Sequence, residues 1–265
     1  MIAQAMAAGI GKCGDAPVVR PSTSYQGVPT HDAAIFYGLA MGLGRIFADY
    51  ARSRRAIYID LGYWTRRIKT RRDGYHKLVF NCRHPTAYFQ KRPHPFDRFE
   101  QHGLEIKPWR EEGRHILVAG MSAKAAMAEE LRPGHWEAKT IARLKRLTDR
   151  PIVFRPKPNC RAARPIAGST FAPTQPLDDA LRDCHAVVTH HSNVAVDALL
   201  AGVPVFCESG VASVLGCADI NAIEQPIMPA GRAQWAADLA WCQWNVQEMR
   251  DGLAYKYLLS EGLIR

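Results

Sequence analysis

Several features that would define a protein class are absent from this 265-residue sequence. It contains no run of 18 apolar residues, so we expect no membrane-spanning helix. The seven cysteines are scattered and form no CxxC pair, which argues against a zinc site and favours reduced thiols in a cytoplasm. The first 17 residues lack a basic n-region, so a secretory signal is not expected.

Common nucleotide-binding and hydrolase motifs are missing as well. There is neither a GxxxxGK[ST] loop nor a GxSxG turn. These absences argue against the P-loop and the nucleophile elbow. A hydrophobic content of 47% is nevertheless typical of a globular protein.

The stretch 186–209, AVVTHHSNVAVDALLAGVPVFCES, is the most informative part of the chain. Val187 and Val188 predict a buried parallel strand. Five polar residues, THHSN, form a turn into a helix predicted over 194–201, and Gly202 ends that helix. The following VPVF predicts the next strand. Ligands of parallel α/β sheets bind where strands end and helices begin, and free N–H groups at such a helix start suit a phosphate.

A second polar group follows the predicted strand 151–154. Arg155 and Lys157 alternate with Pro156 and Pro158, which stiffen the backbone. Two cations held at a strand end suit a diphosphate. A salt-bridged loop is the alternative interpretation, with similar odds.

The stretch 189–206, THHSNVAVDALLAGVPVF, resembles the donor-side signature of GT-B glycosyltransferases of the capsule-polysaccharide-synthesis type. HILVAGM and PIVFRPKP extend the similarity, although Lys157 stands where the family more often has histidine. The resemblance implies a nucleotide-sugar donor and no cofactor. It implies that His191 is catalytic. It also implies that the polar turn, the helix and the cationic strand end supply the donor contacts, which are Arg155, Lys157, His190, Ser192, Asn193 and Asp197. Glu208 is a second candidate for the ribose contact, but the family's acidic helix position favours Asp197.

The positive charge is concentrated in the first part of the chain. Residues 1–110 hold 18 Lys and Arg against 8 Asp and Glu, a surplus of 10, whereas residues 111–265 hold 17 of each. This asymmetry favours a polyanionic partner for the first part, and a soluble basic lobe is an equally good explanation.

Within this basic part, Asp60 ends a strand predicted from Ile57 to Ile59 and is a candidate general base toward an acceptor hydroxyl. The alternative interpretation is that Asp60 caps the next turn. The basic run 65–74 is flanked by aromatic residues, a combination that binds phosphates and stacks bases. It supplies the candidate acceptor-binding residues, Trp64, Arg66, Arg67, Arg71 and Arg72. The segment 58–85, YIDLGYWTRR to DGYHKLVFNCRHP, also resembles, more loosely, phage-encoded glycosyltransferase-like proteins.

The remaining pattern predicts helices over 31–51, 135–147, 233–248 and 253–263, and loosely ordered residues before position 30. We therefore expect an α/β protein with two Rossmann-like lobes: a basic, reduced acceptor-side lobe over 1–110, and a nucleotide-sugar lobe with C-terminal helices over 111–265. The tail is expected to pack back on the first lobe.

The predicted activity is a metal-independent sugar transfer, since no DxD motif is present. Hydroxylated bases in phage DNA are one candidate acceptor, and a surface glycan is another. A nucleotide-sugar epimerase and a non-catalytic nucleic-acid-binding protein remain the alternative functions.

Overall fold

A computed structural model describes residues 1–40, 42–65, 74–87, 93–158, 160–161 and 163–264. Its contacts divide the chain into a first unit, residues 1–102 with 234–265, and a second unit, residues 103–233. In chain order, the helices and strands are α1 (Ile2–Lys12), β1 (Ala33–Tyr37), α2 (Leu43–Ser53), β2 (Arg55–Leu61), β3 (His76–Phe80), α3 (Asp97–Glu100), β4 (His115–Ala119), α4 (Ala123–Ala128), α5 (His135–Leu144), β5 (Ile152–Arg155), β6 (Thr170–Phe171), α6 (Leu177–Leu181), β7 (Cys184–Thr189), α7 (Val194–Leu200), β8 (Val205–Cys207), α8 (Arg232–Trp241), β9 (Gln243–Trp244), α9 (Val246–Arg250) and α10 (Leu253–Ser260).

The first unit is built on a mixed sheet with the strand order β1-β2-β3-β9. β1 and β2 run parallel, and β3 is antiparallel to both of its neighbours. One face of this sheet packs on α1, α9 and α10 through a cluster that includes Met6, Ile57, Leu78 and Leu258. The tail therefore packs on the first unit.

The domain boundaries differ from those expected from the sequence. Residues 234–265 belong with the first unit because β9 pairs with β3, joining His76 to Trp244. Helix α1 lies in a segment expected to be loosely ordered, and it buries Ile2, Ala5 and Met6.

The helix predicted over 31–51 is wrong in its first half, where β1 forms instead. Ile35 pairs with Ile57 and Tyr37 with Ile59, so a parallel neighbour decides the conformation. Gly38 and Gly42 have left-handed φ angles of 72° and 83°, which favour glycine and separate β1 from α2. The helix predicted over 233–248 is likewise divided into α8, β9 and α9.

The second unit contains a parallel sheet with the order β6-β5-β4-β7-β8. Its central strands are fully buried runs: β4 contributes Ile116 and Val118, and β7 contributes Ala186 and Val188. Strands buried in this way are covered by helices on both faces of the sheet. This explains why the sequences of β4 and β7 are largely continuous apolar stretches. Because all five strands run parallel, they present their carboxyl ends at one edge.

Among the described residues, no helix has the length and apolar character needed to cross a bilayer.

Candidate functional site

The carboxyl edge of the second unit's sheet collects most of the predicted donor residues. Arg155 ends β5, and Lys157 follows it. The turn 190–193 follows β7, and Glu208 follows β8. Strand β4 lies between β5 and β7, and Gly120, Met121 and Ser122 continue from its end. This is the edge at which α/β sheets bind ligands.

The two histidines of the turn form a hydrogen-bonded pair. His190 Nδ1 lies 2.7 Å from His191 Nδ1, so the two nitrogens share one proton. On its other side, His190 Nε2 lies 3.4 Å from Glu208 Oε2. His190 Nε2 faces the Glu208 carboxylate, and which of the two Nδ1 atoms donates depends on the tautomers of the two rings.

Neighbouring groups fix this arrangement. Trp136 Nε1 donates to Glu208 Oε1 at 2.5 Å, and the Trp136 ring contacts the His190 ring edge to face at 5.9 Å. The backbone N–H groups of Glu208 and Ser209 both donate to the His190 carbonyl. The His–His–Glu set is therefore oriented from two strands and from α5, which leaves its rings little freedom.

The turn itself is tied to the adjacent strand. Thr189 Oγ1 donates to the Ala119 carbonyl at 2.9 Å and accepts from the Ser192 N–H at 3.3 Å. Ser192 Oγ accepts from the Val194 N–H, whereas the Asn193 side chain makes no capping hydrogen bond to α7. The Ser192 hydroxyl is thus used in shaping the turn.

A cavity of about 340 Å³ opens beside this cluster. Trp136, His190 and Glu208 line it, and Lys139 and Arg143 of α5 contribute positive charge. This volume lies within the usual range of small-molecule sites, about 300–1,000 Å³.

The cationic residue at the end of β5 is partly buried. Arg155 Nε donates to the Gln175 carbonyl at 2.9 Å. Partial burial lowers the pKa of the Arg155 guanidinium, and the nearby Asp197 carboxylate opposes that shift. Asp197 and Arg155 are thus brought together, while Lys157 is exposed. The second unit could meet a phosphate with these cations.

In the first unit, Asp60 belongs to a set of charged and aromatic side chains. Tyr58 Oη donates to Asp60 Oδ2 at 2.5 Å, and the Leu61 N–H donates to Oδ1 at 2.8 Å. Lys77 pairs with Asp60 across β2 and β3, and its Nζ lies 5.0 Å from the Tyr58 ring centroid. Burial lowers the pKa of the Lys77 ammonium to about 8, although Asp60 opposes the change. Burial and then Asp60 raise the pKa of Tyr58.

The acceptor-binding candidates have different positions. Trp64 is only 5% exposed, with its ring packed against Phe99 and His102, so protein already covers the faces on which a base would stack. Arg66, Arg67, Arg71 and Arg72 lie outside the described residues. Across residues 1–40, 42–65, 74–87, 93–158, 160–161 and 163–264, no group of three or more His, Cys, Asp or Glu side chains is placed to hold a metal.

Trp136, Tyr58 and Lys77 were not identified as site residues from the sequence. Trp136 is buried in the helix predicted over 135–147, but the sequence gives no signal for its bond to Glu208. Lys77 could have been found from the alternation of β3, which places it on the same sheet face as Asp60 once the two strands are paired.

No protein-family model matches the sequence, and no curated protein matches it. Solved structures with a similar fold include two transferase domains. The Thermosulfurimonas dismutans KpsC beta Kdo 2,7 transferase has a TM-score of 0.55 at 14% identity, covering 84% of this chain and 85% of that chain. The beta Kdo 2,4 transferase of the same organism's KpsC has a TM-score of 0.54 at 10% identity, covering 88% and 85%. This similarity shows the fold, and the predicted α/β class with two Rossmann-like units is confirmed.

Proposed function

We propose that this protein is a glycosyltransferase that moves a sugar from a nucleotide-sugar donor to an acceptor hydroxyl. The observation that carries the proposal is the His190–His191 pair, hydrogen-bonded at the carboxyl end of β7 and backed by Glu208. A histidine whose far side is fixed by a second group is suited to general acid–base chemistry or to holding a phosphate. The similar fold of two Kdo transferases supports the same class.

The donor is proposed to bind at the carboxyl edge of the second unit. Arg155 and Lys157 would neutralise its phosphates, and His190, Ser192, Asn193 and Asp197 would complete the site. Because Arg155 and Lys157 would neutralise the leaving phosphate in place of a metal ion, sugar transfer should persist in EDTA. Because the two similar structures are Kdo transferases, a Kdo-bearing nucleotide belongs in the first panel of donors tested.

Replacing Arg155 with alanine should weaken donor binding about tenfold or more, because a charge-assisted contact contributes about 1.5–3 kcal/mol. The measurement is thermal stabilisation of wild type and variant by a panel of nucleotide-sugars, followed by isothermal titration with those that bind. Arg146→Ala, which removes an exposed cation from the same unit, should bind like wild type. Equal affinity of Arg155→Ala and wild type would remove Arg155 from the site, and a panel without any binder would refute the donor proposal.

We propose Asp60 as the base that activates the acceptor hydroxyl in the first unit. One carboxylate oxygen is held by Tyr58 and the other by the Leu61 N–H, so the group is oriented while remaining half-exposed. An oriented, accessible carboxylate can accept a proton from a hydroxyl within hydrogen-bond reach.

Nucleic acid is the acceptor class that the charge distribution favours. Regrouped by structural unit, the first holds 19 Lys and Arg against 11 Asp and Glu, and the second holds 16 against 14. Eight of the ten surplus charges thus belong to the first unit. Two of its cations, Lys77 and Arg98, are buried and would not meet a phosphate.

The affinity of the wild type for DNA should therefore fall steeply with salt. The slope of log affinity against log salt concentration should be about −0.9 for each phosphate contact. Replacing Arg66, Arg67, Arg71 and Arg72 together with serine should flatten that slope and leave nucleotide-sugar affinity unchanged. The measurement is a salt titration of fluorescent duplex DNA. A control with serine at Arg146 and Arg182, both exposed in the second unit, should keep the wild-type slope. Absence of DNA binding at low salt would replace nucleic acid with a surface glycan as the proposed acceptor.

A further inference from the structure

A second cavity in the second unit, of about 420 Å³, lies where β4 and β5 end. Its walls are largely apolar and include Met121, Phe154, Pro156 and Ile166. Arg132 and Arg164 also line it, and both are exposed. Apolar surfaces with cationic residues at an open side suit a molecule with a flat, uncharged part and an anionic part.

A buried carboxylate with one unused oxygen lines this cavity. Glu137 is 3% exposed, and its Oε1 accepts the Met121 N–H at 2.8 Å. The other oxygen, Oε2, is buried and has no hydrogen-bond partner in the described part of the chain. Burying a carboxylate oxygen without a donor is unfavourable, so a ligand that brings an N–H or O–H to it gains an interaction that the protein leaves open.

The Met121 contact also fixes the direction of that open oxygen. Strand β4 ends immediately before Gly120 and Met121, so the N–H that holds Oε1 is anchored to the sheet. At Gly120, a Cβ would come within 2.9 Å of the Phe154 ring and 3.2 Å of Glu137 Oε1. The Glu137 carboxylate can therefore approach the backbone at residue 120 closely because glycine has no side chain. This close packing leaves the carboxylate little room to rotate.

The chemistry at Glu137 excludes the anionic part of a nucleotide, because a phosphate beside a carboxylate is repelled. It accepts a hydrogen-bond donor instead. Resting on the proposed function, we propose that Glu137 recognises the exocyclic amino group of the donor's nucleobase, with the base between the apolar walls. A base with a carbonyl at the same position would place an acceptor against the carboxylate.

The test compares nucleotides that differ by amino and carbonyl groups. Isothermal titration is carried out with cytidine and uridine 5′-diphosphates, and with adenosine and inosine 5′-diphosphates. In the pair that binds, wild type should prefer the amino-bearing member about tenfold or more. In Glu137→Gln, the amide oxygen can keep the Met121 N–H while its NH₂ faces the ligand, so the preference should reverse toward the carbonyl-bearing member. Asp149→Asn, an exposed change in the same unit, should keep the wild-type ratio.

The outcomes separate this inference from the proposed function. If nucleotides bind with a wild-type ratio near one, or if Glu137→Gln leaves the ratio unchanged, the base-recognition role is wrong while the donor proposal stands. If none of the four nucleotides binds, the base-recognition role is wrong, and the donor proposal is decided by the nucleotide-sugar panel. The wild-type ratio requires no variant, so a poorly folded Glu137→Gln protein would not prevent the decision.

Discussion

The His191→Ala variant should lose sugar transfer by about 10²–10⁴-fold, the range that a positioned general acid or base contributes. The imidazole is presented from the turn after β7 at the carboxyl edge of the sheet, and His190 holds its Nδ1. The measurement is the single-turnover rate at saturating donor, so that a change in affinity does not enter. The fold should survive, because the turn is held mainly through Thr189 and backbone groups.

The Glu208→Gln variant should lose less transfer rate than His191→Ala, because the neutral amide is a weaker partner for His190 Nε2 than the carboxylate. His115→Gln is a suitable control, since this histidine starts β4 at the opposite edge of the sheet. A His191→Ala rate within threefold of wild type would exclude the residue from the chemistry.

The second unit could be predicted from sequence because its informative patterns are local. Val187, Val188 and the polar turn after them are contiguous, and a parallel strand buried on both faces is a plain apolar run. The first unit depends on pairings between distant segments. Ile35 is in a strand because it pairs with Ile57, and Trp244 is in a strand because it pairs with His76. The local spacing of apolar residues does not indicate either pairing.

The same distinction explains which site residues were found. His190, His191 and Arg155 follow strands directly, so their place at the carboxyl edge could be inferred from the chain order. Glu137 sits in an amphipathic helix pattern that carries no sign of burial. Its environment comes from the Met121 backbone, 16 residues earlier, and from the absence of a side chain at Gly120.

Arg98 illustrates how a residue that contributes to the basic surplus can have an interior role. It is 7% exposed, and its guanidinium donates to both Glu248 oxygens, at 3.0 and 3.3 Å, and to the Gln243 carbonyl at 2.9 Å. The Trp244 ring lies 3.8 Å from the guanidinium carbon. Glu248 also closes a capping box with Asn245 at the start of α9. One cation thus joins α3 to β9 and α9 within the first unit.

Replacing Arg98 with methionine should destabilise the first unit by about 3–5 kcal/mol, because it leaves the largely buried Glu248 carboxylate without its cation. For a domain of this size, that corresponds to a fall in the unfolding temperature on the order of 10 °C. The measurement is differential scanning calorimetry beside Arg250→Ala, which removes an exposed arginine from α9 and should change the temperature little.

A second readout reports on the Arg98 charge itself. Burial, and then Arg98, lowers the pKa of His102 to about 4. In Arg98→Met the Arg98 contribution disappears while most of the burial remains, so the pKa of His102 should rise but stay below its usual range. An NMR titration of the His102 ring measures this shift. An unfolding temperature within 2 °C of wild type, together with an unchanged His102 titration, would show that Arg98 does not hold these elements together.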